Sequence, residues 1–289
     1  MLSGVQIICF AASYGVALLL ELSRLLFRSG VRGAVMLGFA AAGLLAHTIF
    51  LGHRAASATG APLSSQQDWY LLAAWLIVAF YLYLVYYFPR VPFGMILLPL
   101  ALGLIGAGAY FASDQPMPPQ PALRVWGSLH AGSMVLATVA VAVGFMAGMM
   151  YLLQVWRLKR KLPAGRGPKL PSLEWLERMN VRALAVSVIM LAVGVGSGFM
   201  MKATQAPGSL PWFDPVVIST ALMFAWLVAA LIVTKVARGR GSGRQVAYLT
   251  VASFVFLAAA LAAGLLLDTQ HGSRGAEGPA ASRHVGGGR

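Results

Sequence analysis

Gly33 to His53 reads GAVMLGFAAAGLLAHTIFLGH, and this stretch decides the fold. It holds about 20 residues, the number a helix rising 1.5 Å per residue needs to cross roughly 30 Å of hydrocarbon. Its only ionisable side chains are two histidines, His47 and His53. Runs of the same kind recur along the chain, at about 3–23, 69–88, 92–112, 126–156, 183–201, 213–234 and 246–267. The chain is 59% hydrophobic and 10% charged, with a mean hydropathy of +0.76, which excludes a soluble globular domain. A transmembrane β-barrel is excluded as well, because its strands alternate over segments of about 10 residues. The sequence therefore predicts an all-α, polytopic membrane bundle of about eight transmembrane helices. It forms one domain over residues 1–271, and the Gly/Ala/Ser/Arg-rich tail 272–289 reads as disordered.

Charge orients this bundle. No basic residue precedes the first run, and Arg24 and Arg28 follow it, so the run reads as a retained helix rather than a cleaved signal. With eight crossings and an outer N-terminus, Arg24, Arg28, Arg32, Arg90, Arg157, Lys159, Arg160, Lys161, Arg166, Lys169, Arg178, Arg182, Lys235, Arg238, Arg240 and Arg244 fall inside. The outer side keeps Arg54, Arg124, Lys202, Arg274, Arg283 and Arg289. The positive-inside rule then puts both termini outside. The net charge of +14 is thus a topology signal with affinity for anionic lipid, and it carries no nucleic-acid role. The single cysteine, Cys9, allows neither an internal disulfide nor a Cys-x-x-Cys motif.

The connections are short apart from 157–182. Pro89-Arg90-Val91-Pro92 reads as a tight inner turn. In the long loop, Ser172 followed by Glu174 and by apolar residues at 173, 176 and 179 predicts a short amphipathic helix over 171–179, lying in the interface. Gly144 and Gly148 form a G-x-x-x-G, and Gly194, Gly196 and Gly198 stripe the sixth helix; both patterns read as helix packing. Glu21, three residues before Arg24, reads as half of an interfacial ion pair.

The histidines carry the chemistry. His47 and His130 fall inside helices near the outer surface, while His53 and His271 fall at helix ends on the same side. Ionisable groups within a membrane are costly and mark functional sites. Zinc asks for three or four ligands, and Asp68, Asp114, Asp214 and Asp268 show no ligand spacing. Haem needs one or two axial histidines, an aromatic wall and cations for its propionates. Trp126, four residues before His130, shares its helix face, and Trp69, Trp212, Phe213, Arg54, Arg124 and Lys202 lie at the same level. His53 reads as an interfacial polar residue, and His284 sits in the tail.

Trp126-Gly-Ser-Leu-His130 is followed by a small-residue helix ending Gly148-Met-Met-Tyr-Leu-Leu-Gln154 and then Arg157-Leu-Lys-Arg-Lys161. With Ala46-His47-Thr48, Leu170–Asn180 and Gly241–Tyr248, this pattern resembles the cytochrome c assembly protein family, the CcsA/CcmC/HemX-like haem-handling membrane proteins. The resemblance spans about 40–272. It implies outer-face haem ligands at His130 and His271, which would hold the haem iron, and a membrane histidine at His47. The family's tryptophan-rich loop corresponds to Gly208–Pro215, which keeps a glycine, Trp212 and Asp214-Pro215 but not the full motif. No histidine lies between His130 and His271, so the second membrane histidine is absent, as in short eight-helix members.

The resemblance therefore implies an inner (plasma) membrane protein of cytochrome c-type biogenesis. It would bind or present haem b at the outer face for attachment to apocytochrome c, acting within a synthase system rather than as a stand-alone enzyme. Trp126, Trp212 and Asp214 would form the wall and rim of the site. The implied partners are membrane lipid, a haem-delivery partner and apocytochrome c. An alternative is a HemX-like, non-enzymatic regulator or scaffold of tetrapyrrole biosynthesis, acting through the basic segment 157–182.

Overall fold

A computed structural model describes residues 6–23, 30–57, 63, 65–115, 124–161, 169–203, 213–236 and 242–267. These form α1 (Ile7–Ser23), α2 (Gly30–Ser57), α3 (Gln66–Tyr87), α4 (Gly94–Tyr110), α5 (Arg124–Lys159), α6 (Leu173–Ala203), α7 (Pro215–Val236) and α8 (Ser242–Leu266). Each predicted apolar run corresponds to one helix, and no strand occurs among the described residues. Six of the helices are long and apolar enough to cross a membrane. The other two, α1 and α4, have 17 residues each, at the lower end of the roughly 17–25 that spanning requires.

Local chemistry sets where the helices begin. Ser65 and Asp68 form a reciprocal capping box at α3: Asp68 N–H donates to Ser65 Oγ, and Ser65 N–H donates to Asp68 Oδ2, both at 3.1 Å. Ser172 Oγ accepts the N–H of Trp175 at 3.3 Å and so opens α6. Asp214 Oδ1 accepts the N–H of Val216 at 2.9 Å, with Pro215 preset at the first position of α7. The turn at Pro89–Pro92 lies between α3 and α4 as expected, with Phe88 and Phe93 at its two ends.

One expectation is corrected. Residues 173–179 are not a separate interfacial helix but the first turns of the 31-residue α6. Trp175 anchors them by packing against Phe88 and Phe93, at ring-centroid distances of 5.3 and 6.1 Å. Packing this half-buried indole against the α3–α4 turn gives it a protein surface where a membrane surface was expected. Glu21, read as half of an ion pair, is fully buried and accepts a hydrogen bond from the Tyr81 hydroxyl at 3.5 Å; its expected partner, Arg24, lies outside the described residues.

The helices pack in antiparallel fashion around α5. Helix α1 lies against α2 and α4, α2 against α3, and α3 against α4; α5 touches α3, α4, α6 and α8, and α7 packs on α6 and α8. One apolar core, with Phe10, Tyr14, Ile77, Tyr81, Leu97 and Met146, fills the α1–α5 half. A second, with Val141, Leu184, Leu191, Met223 and Leu227, fills the α5–α8 half. Outside both cores, Leu19, Leu45, Ile189 and Val255 are exposed, as expected where lipid rather than water is the solvent.

Lipid gives helices no hydrophobic drive to associate, so close approach at small residues becomes important. A Cβ at Gly148 would stand 2.7 Å from Thr250 Oγ1 and 3.0 Å from the Ala247 carbonyl oxygen, so the α5–α8 seam requires glycine there. Beside it, Thr250 donates to Asn180 Oδ1 at 3.0 Å, joining α8 to α6.

This alternation gives the bundle two ends. One carries the α1–α2, α3–α4, α5–α6 and α7–α8 connections and collects the basic residues; it is called the basic end below. The other, the histidine end, carries the α2–α3, α4–α5 and α6–α7 connections.

Candidate functional site

His130 lies six residues into α5, about 9 Å from its start at the histidine end. Its Nδ1 is 2.8 Å from the carbonyl oxygen of Gly194 on α6. A carbonyl only accepts, so Nδ1 carries the proton and donates, and in the neutral ring Nε2 is the lone-pair nitrogen. A hydrogen bond from one ring nitrogen to a backbone carbonyl is what orients a histidine for ligation through the other.

Two glycines make this seat. Gly194 supplies the acceptor, and a Cβ at Gly198 would come within 3.0 Å of His130 Nδ1 and 3.1 Å of Cε1. The glycine stripe predicted as packing thus also seats the histidine. Its signal in the sequence is the four-residue spacing of Gly194 and Gly198; Gly196 faces away, into open space. The His130 ring is half-buried, as is Trp126 one turn earlier.

His47 sits in a different setting. It is fully buried between α1 and α2, stacked on Phe10 at a centroid distance of 4.0 Å and an interplanar angle of 4°. The Tyr14 hydroxyl lies 3.3 Å from its Nδ1, and the buried Nε2 has no hydrogen-bond partner. Tyr14 reaches this position because Gly43 has no side chain; a Cβ there would stand 2.7 Å from the Tyr14 ring. His47 is ten residues from the end of α2, about 15 Å, because α2 runs to Ser57 rather than 53. His47 faces α1 and His130 faces α6, so the structure does not bring these two rings together.

The other predicted residues divide clearly. Asp214 is buried and caps α7. Arg54, expected as a cation at the haem level, is held by Asp68 at 2.6 Å, donates to Ser65 Oγ at 3.2 Å and lies over the Phe50 ring. His53 is exposed. Trp212, Asp268, His271, His284 and the tail lie outside the described residues. No cluster of three or more His, Cys, Asp or Glu able to hold a metal occurs among the described residues.

An apolar cleft of about 340 Å³ separates the two halves of the bundle, lined by Pro99, Gly103 and Ala107 of α4, Leu257, Leu261 and Leu265 of α8, and neighbours from α3 and α5. Tyr70 and Thr138 are its polar lining residues, and the Tyr70 hydroxyl donates to the Leu261 carbonyl at 3.3 Å.

One oriented histidine is enough for a haem ligand, whereas a bare metal ion asks for three or four ligands. One histidine is pre-oriented at a bundle end, and another buried imidazole nitrogen lacks a partner. His130 has the ring orientation that ligation to haem iron asks for. His47 fits only if α1 moves, since Phe10 and Tyr14 enclose it.

Eight apolar helices, six of them long enough to cross a membrane, define a multi-pass membrane protein. The family model described as Cytochrome C assembly protein matches residues 36–263, and the chain belongs to that family. This membership assigns the chain to cytochrome c biogenesis, with lipid as its solvent and haem- and cytochrome c-related partners. Comparison with curated proteins gave no significant match.

Proposed function

We propose that this chain binds haem at the outer membrane face and presents it for attachment to apocytochrome c. The observation that carries the reading is the His130 seat, in which Gly194 accepts from Nδ1 and Gly198 makes room for the ring. In this reading the histidine end faces outward, with both termini on that side, and the membrane is the inner (plasma) membrane. The separation of basic residues between the two ends supports this orientation. His130 and His271 would hold the iron of haem b, Trp126 and Trp212 would form the wall, and Asp214 would fix the rim by capping α7. His47, whose Nε2 lacks a partner, serves as a reserve ligand only if α1 moves to uncover it.

Haem supplies the iron and the porphyrin that becomes attached, and the chain's own residues bind and orient it. The thioether bonds use the thiols of apocytochrome c, so this chain needs no nucleophile. A haem-delivery partner in the membrane loads the site. In cells that depend on this chain, His130→Ala should remove most covalently haem-stained c-type cytochrome while the chain itself still accumulates in the membrane. Normal staining with that variant would refute the reading.

A further inference from the structure

Separately from haem handling, a groove on the lipid-facing side of α7 and α8 has the layout of a phospholipid. It encloses about 480 Å³ and is lined by Trp226 of α7 and by Arg244, Gln245, Tyr248, Leu249 and Ala252 of α8. The α8 residues follow helical spacing, so they form one stripe that starts in the first turn at the basic end and runs inward. From Arg244 to Ala252 the stripe covers about 12 Å of depth. Along that depth its chemistry changes in order. The guanidinium comes first, the amide and phenol follow, and the leucine, alanine and indole come last.

Arg244 is exposed, lies 5.5 Å from the centre of the Tyr248 ring and donates to the Tyr248 hydroxyl at 3.4 Å. No carboxylate neutralises it among the described residues. The nearby Glu177 carboxylate is turned to the start of α8 instead, where a Cβ at Gly243 would stand 2.6 Å from its Oε2. The Trp226 N–H is likewise spoken for, donating to Ser253 Oγ at 3.1 Å, so the indole offers the groove an apolar face.

We infer that this groove binds one anionic phospholipid, its phosphate on Arg244 and Tyr248 and an acyl chain along Leu249, Ala252 and Trp226. Charge complementarity favours an anionic headgroup, since a cation near the membrane surface adds about 1 kcal/mol of attraction to anionic lipid. The apolar lower part favours a lipid over a free anion.

The test uses the full chain, purified in mild detergent and incubated with phosphatidylglycerol carrying a photoactivatable acyl chain; cross-linked peptides are then mapped. The expected result is labelling at Leu249 and Ala252, about fivefold weaker in Arg244→Gln. Labelling should also fall in Ala252→Trp, which fills the apolar part and keeps the charge. Matching thermal unfolding of the variants shows that the fold is intact. Equal labelling by the phosphatidylcholine analogue, or unchanged labelling in Arg244→Gln, overturns the inference. So does competition by inorganic phosphate, which would mark a soluble-anion site. A change of oligomeric state in Ala252→Trp without loss of labelling would instead assign the groove to a second copy of the chain.

Discussion

His130 and Gly198 depend on each other at the level of single atoms. Adding one methyl group at 198 puts carbon within 3.0 Å of His130 Nδ1, tighter than ordinary packing allows, so the ring must turn or α5 and α6 must separate. Either response breaks the Nδ1–H to Gly194 bond that orients the imidazole. Gly198→Ala should therefore weaken haem binding several-fold in a spectroscopic titration, whereas Gly196→Ala, which meets open space, should leave it unchanged. His47 behaves differently. Tyr14→Phe deletes a hydrogen bond to Nδ1 of a ring whose Nε2 already has none, leaving a buried imidazole with no partner at all. The expected cost is about 1–3 kcal/mol of stability, read as a lower unfolding temperature in detergent. An unfolding temperature equal to the parent's would show that the Tyr14 bond adds nothing.

At the scale of elements, the helices were legible in the sequence because about 20 apolar residues in a row have one economical solution in a bilayer, a helix that satisfies its own backbone. The capping signal at Ser172 was equally plain, whereas Asp214-Pro215, read only as a remnant of the family's loop, turns out to cap α7. Connection between elements was not legible. Nothing in Leu173–Met179 says that its helix continues into the apolar run after 183, because that depends on Trp175 finding Phe88 and Phe93 on a turn about 85 residues earlier in sequence. The same holds for Arg54, whose pairing with Asp68 comes from the meeting of α2 and α3. The α5–α8 seam is likewise tertiary. Gly148→Ala sets a carbon against Thr250 Oγ1 and the Ala247 carbonyl, and the second of these is rigid backbone. Overpacking of this kind typically costs about 1–3 kcal/mol, so unfolding should occur at a clearly lower temperature than for Gly132→Ala on the same helix, where no atom lies within 4 Å.

For the whole molecule, the two-ended distribution of charge and histidines is the feature that makes presentation of haem on one side reasonable. Orientation is directly measurable. In a Cys9→Ala background, Ser113→Cys at the histidine end should react with a membrane-impermeant thiol reagent in intact cells, and Lys169→Cys at the basic end should react only after permeabilisation. The reverse pattern would put the His130 seat on the wrong side for presentation. The central claim, that His130 holds haem, is tested most directly by the absorption spectrum of the purified full chain after haem supplementation, parent beside His130→Ala. The account predicts a Soret band in the parent that is lost or strongly reduced in the variant. No band in the parent, or the same band in both, would contradict it.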